Sequence, residues 1–114
     1  MERPPRHVLV DAALTGRFHN VVARFLDGKW GLLPSVWDVP FEEVVQEGVR
    51  RGMDTFISAR PHGEGYWLSK TERGFAVQYF ERGINDDMTE FKELELAFRH
   101  LIRCQLDMLQ LKAE

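Results

Sequence analysis

The chain has 114 residues, a net charge of −3 and a composition that is 44% hydrophobic and 29% charged. That length suits one domain with its own core, and the balance excludes a disordered polymer. Lys and Arg are dispersed among acids, which argues against a nucleic-acid footprint. No apolar run approaches the ~20 residues a membrane span needs.

Pro4 and Pro5 mark residues 1–7 as an expected flexible tail. From Val10, the positions Leu14, Phe18, Val21, Val22, Phe25 and Leu26 recur at helical spacing, and Gly28 suits a left-handed cap. The pattern predicts one amphipathic helix, or a later start with Thr15 as its N-cap. Trp30 to Val39 reads as an apolar connector. Pro40 opens a second helix, with Glu42 and Glu43 at its positive end, and Gly52 closes it.

Beyond Gly52 the period shifts from helical to alternating. Thr55–Arg60, Tyr66–Thr71, Phe75–Arg82 and a short stretch near Met88–Lys92 predict an antiparallel meander of about four strands. Glu72-Arg73-Gly74 and Gly83–Asp87 are the expected turns. In the third strand, Phe75, Val77 and Tyr79 share one face, while Ala76, Gln78 and Phe80 share the other. Leu94, Ala97, Leu101, Cys104, Met108 and Leu111 then step by three and four, predicting a long C-terminal helix packed on the sheet. The whole reads as an α+β fold: two N-terminal helices, the meander, and that helix.

Chemistry-bearing motifs are sparse. His7, His19, His62 and His100 form no ligand spacing, so no metal or other cofactor is expected. Cys104 sits on an apolar helical stripe, the place of a small core residue rather than a nucleophile. With one cysteine and no secretory leader pattern, the expected compartment is cytoplasmic.

One concentration of charge remains. Glu81, Asp86, Asp87, Glu90, Glu93 and Glu95 lie within fifteen residues, answered only by Arg82 and Lys92. Such a patch attracts a basic partner and speeds its association. It also suits a solvated turn followed by a helix start.

Gly65-Tyr66-Trp67-Leu68, Gly74-Phe75-Ala76-Val77-Gln78-Tyr79, Glu81-Arg82-Gly83, Phe91 and Glu95-Leu96-Ala97-Phe98-Arg99-His100-Leu101 follow one another in a recognisable order. Together they resemble the C-terminal half of small bacterial immunity proteins that accompany polymorphic or contact-dependent toxins. The likeness covers about a third of the chain, and Glu95-Leu96-Ala97 departs from that pattern by one inserted position. It implies a non-catalytic inhibitor that binds a cognate toxin, many of which are basic nucleases. Under it, Glu81, Asp86, Asp87 and Glu90 are charge anchors, and Tyr66, Trp67 and Tyr79 are hot-spot candidates. Two alternatives stay open: a homo-oligomeric adaptor joined through the C-terminal helix, with Met108, Leu109 and Leu111 in the contact, and a small ligand-binding domain or enzyme using His19, His62 or His100.

Overall fold

The computed structural model describes residues 3–112. Its order is α1 (Arg6–Thr15), α2 (Phe18–Phe25), α3 (Leu33–Val36), α4 (Phe41–Arg51), β1 (Gly65–Thr71), β2 (Gly74–Glu81), β3 (Ile84–Phe91) and α5 (Leu94–Met108). The α+β class, the antiparallel meander and the C-terminal helix are as the sequence pattern expects. The element count differs in three places: the first expected helix is two, the expected connector Trp30–Val39 holds a 3₁₀ turn (Trp30–Leu32) and the short α3, and one strand is missing, so four helices rather than two precede the sheet.

The single helix expected from Val10 onward is two. Gly16 adopts a left-handed φ of 76°, its N–H donates to the Ala12 carbonyl at 2.8 Å, and the chain restarts at Phe18. Both pieces bury their stripes in one core, so the helical spacing carries through the break. The expected tail over residues 1–7 is likewise corrected from Arg3 onward. Pro4 is buried, Arg3 pairs with Asp38 at 3.1 Å, and α1 begins at Arg6; Met1 and Glu2 lie outside the described residues.

The fourth strand, expected over Thr55–Arg60, is not formed. Met53–Phe56 closes a 3₁₀ turn in which the Thr55 N–H and hydroxyl both donate to the Gly52 carbonyl, at 3.0 and 2.6 Å. That local bonding outweighs β-propensity. A single parallel bridge, Ile57 to Leu68, is what remains. The strand near Met88 instead starts earlier, at Ile84. Arg82 and Gly83 both take positive φ, 52° and 78°, which is the signature of a tight two-residue hairpin turn. Residues expected in a loop therefore belong to a strand.

The sheet order is β1-β2-β3. α5 lies across one face of it and also packs against α1 and α4. From α5 the core takes Ala97, Phe98, Leu101, Ile102 and Leu106; from the sheet it takes Leu68 and Val77. Gly48 of α4 meets Phe98 so closely that a methyl group there would stand 2.2 Å from the ring Cζ. The Phe98 ring thus fills space that only glycine leaves open.

Candidate functional site

Residues opposite one another in an antiparallel pair share a face. Tyr66 is opposite Tyr79, and Tyr79 is opposite Asp86, so these three form one row across the whole sheet. The next row inward is Leu68, Val77 and Thr89. Leu68 and Val77 are buried, which identifies this as the face under α5. α5 starts beside Phe91 and ends at Met108 beside the tyrosine row, whose two rings stay partly exposed.

The rings of Tyr66 and Tyr79 meet edge to face, 4.9 Å apart and 61° between planes. Beside them the β2–β3 ladder is irregular. Tyr79 pairs with Asp86 and Val77 with Thr89, so Asp87 and Met88 both oppose Gln78. This is a β-bulge, with Asp87 at φ 54° and its N–H donating to the Asp86 Oδ1 at 2.8 Å. Strict alternation would send Asp86 and Asp87 to opposite faces. With the bulge, both join Tyr66, Tyr79 and Met108 around a shallow depression of about 340 Å³.

Charge distribution sets this end of the molecule apart. Among the described residues, the ion pairs join Arg3 to Asp38, Arg6 to Glu43, Arg50 and Arg51 to Glu47, Arg51 to Asp11, and Arg99 to Glu42 and Glu95. All of their acids lie outside the strands. The guanidinium hydrogen bonds hold the Glu42 and Glu43 carboxyls below the usual range and pull Glu47 down to about 2. No ion pair among the described residues reaches Glu81, Asp86, Asp87 or Glu90. Burial, aided by neighbouring groups including Asp87, raises the Tyr66 phenol.

Four of the seven candidates, Tyr66, Tyr79, Asp86 and Asp87, are thus brought together. Glu81 lies on the same face at the hairpin, opposite Ile84. Trp67 and Glu90 are separated from the cluster, because their partners Gln78 and Ala76 belong to the other face. The Trp67 indole N–H reaches over β2 to donate to the Asn85 Oδ1 at 2.9 Å. Met108, named from sequence only as a tail contact, joins the site through the length of α5. Leu109 packs on the core and Leu111 is buried.

The remaining chemistry is modest. Cys104 Sγ lies 3.3 Å from His100 Nε2, an i,i+4 pair that a base search along the helix would have flagged. Burial, with Asp87 and Asp107 adding, pushes the thiol up to about 11, which opposes the thiolate a nucleophile needs. Ser58 Oγ and His62 Nε2 are 2.8 Å apart on an exposed loop. For neither pair do the described residues place a third group on the imidazole. They also contain no group of three His, Cys, Asp or Glu arranged to hold a metal ion, and no helix long and apolar enough to cross a membrane. A larger groove of about 690 Å³ lies between α1 and α4, lined by residues including Arg6, Glu43, Glu47 and Arg51, whose charges are already paired with one another or with Asp11. Comparison with family models, with curated proteins and with solved structures gives no match.

Proposed function

We propose that this chain is a non-catalytic inhibitor, an immunity protein that neutralises a cognate bacterial toxin by direct binding in the cytoplasm. The tyrosine–aspartate end of the sheet is the contact surface. The observation that carries this reading is the row Tyr66, Tyr79 and Asp86 with the bulged Asp87. It sets rigid amphipathic rings beside two carboxylates to which no cation of the described residues is paired. Aromatic anchors beside uncompensated charge are what a protein partner of opposite charge binds best. A basic enzyme such as a nuclease fits that chemistry, and the order of the meander residues, resembling that of immunity proteins, supports the same class.

The test is capture of the tagged chain's partner from its own cell, followed by association kinetics with the Asp86→Asn/Asp87→Asn variant. Asparagine keeps the Oδ1 acceptor and tolerates positive φ, so the bulge survives while the charge goes. The expected result is an on-rate about tenfold lower at low salt, with the difference shrinking as salt rises. Parental kinetics together with full protection from the toxin would sink the reading.

A further inference from the structure

β3 is a sheet edge. Among the described residues, the Asp87 N–H bonds the Asp86 carboxylate and no other backbone group of residues 84–91 bonds outside its ladder with β2, whereas on the β1 edge the Ser58 N–H donates to the Leu68 carbonyl. A strand paired on one side only presents alternate N–H and C=O groups outward, ready to receive another strand. The side chains leave that edge open: Ile84 to Met88 are all exposed, with Ile84 at 67% and Met88 at 56%.

The charge on this edge selects what can pair with it. β3 carries Asp86, Asp87 and Glu90 and contains no Lys, Arg or Pro. Lysine and proline, two common devices for blocking an edge, are not used here; the devices present are the bulge at Asp87 and the carboxylates, which still admit a basic strand. An antiparallel second copy of β3 would set three carboxylates against three, and like charges across a ladder are destabilising. A segment bearing Lys or Arg instead gains opposite-charge pairs at the same positions.

We propose that the β3 edge receives an extended, basic segment of the partner protein as a fourth strand of the sheet. The proposal rests on the reading above, that a protein is bound at this end, and adds the mode of binding. A strand laid beside Asp86 extends the row Tyr66, Tyr79, Asp86 by one position, so its basic side chain there lies against both aspartates. The Asp87 N–H is already held by Asp86, so the new ladder divides at the bulge into two short stretches. Backbone pairing supplies affinity that tolerates sequence variation, and the carboxylates supply selectivity for charge.

An end-blocked octapeptide alternating Lys and Val is the probe. A Glu/Val peptide and a Lys/Val peptide with alternate backbone amides N-methylated are its controls. Hydrogen exchange of the full chain at low salt is the readout. The Lys/Val peptide at millimolar concentration is expected to slow exchange of β3 amides at least tenfold; the controls leave them unchanged, and Asp87→Asn/Glu90→Lys abolishes the effect. Three results overturn the proposal: no slowing with any peptide, binding that survives N-methylation with β3 unprotected, or β3 protection that grows with protein concentration alone, which marks a second copy. None of these touches the proposed function, which fails instead if the Asp86→Asn/Asp87→Asn variant binds a captured partner at the parental rate and still protects fully.

Discussion

The Asp87 backbone N–H donates to the Oδ1 of its neighbour Asp86 at 2.8 Å, and this bond spans a bulge that turns both carboxylates toward the same pair of tyrosines. The positive φ of 54° at Asp87 is part of that geometry. Asparagine, aspartate and glycine accept such a conformation, whereas a β-branched residue does not.

Asp87→Gly is therefore expected to keep wild-type stability within about 0.5 kcal/mol, and Asp87→Val to lose about 1–2 kcal/mol. Urea denaturation of the three proteins measures both. Equal midpoints for the valine and glycine variants would show that the bulge does not need a left-handed residue.

Trp67 spans β2 to reach Asn85, so its indole N–H already has a partner inside the protein. Trp67→Phe and Asn85→Ala should each destabilise by about 1 kcal/mol, and their double-mutant cycle should show a coupling of about 0.5–1.5 kcal/mol. A coupling near zero would mean that the hydrogen bond contributes nothing net. Trp67 would then be available as a binding residue on the face opposite the tyrosine row.

Gly48 lies in a helix interior, where alanine ordinarily stabilises by up to about 1 kcal/mol. Here the new methyl group would stand 2.2 Å from Phe98 Cζ, in the buried contact between α4 and α5. Gly48→Ala is expected to cost about 1–3 kcal/mol net, and adding Phe98→Leu should restore part of that loss. If the double variant is less stable than either single one, the ring is not the obstruction.

Two guanidiniums, those of Arg50 and then Arg51, hold the Glu47 carboxyl down from an ordinary 4.5 to about 2. A carboxyl whose folded value lies below its unfolded value stabilises the fold at pH above the unfolded value. That contribution is lost as the pH falls toward the folded one. Wild type should exceed Glu47→Gln in stability at pH 6, and the gap should close between about 4.5 and about 2. Denaturation midpoints at several pH values give the curve. A gap that persists unchanged at pH 2 would exclude charge as its origin.

Local pattern by itself determined most of the elements: α4 between Pro40 and Gly52, β1 and β2 with their alternating apolar positions, and the stripe of α5 from Leu94. These are legible because side-chain period and terminal Pro or Gly act within one or two turns of the chain. The concentration of acid from Glu81 to Glu95 was equally visible. Tertiary structure decided the rest. Gly16 split a continuous helical pattern, because both halves reach the same core and spacing alone does not register a left-handed residue between them. A turn held by Thr55 displaced the fourth strand, since hydrogen bonds to Gly52 outweighed β-propensity. Asp86 and Asp87 share a face only through a bulge in pairing with β2, and Met108 reaches them only because α5 has the length it has. The last two depend on a second element of the chain, and the first two on bonds within four residues that side-chain period does not register.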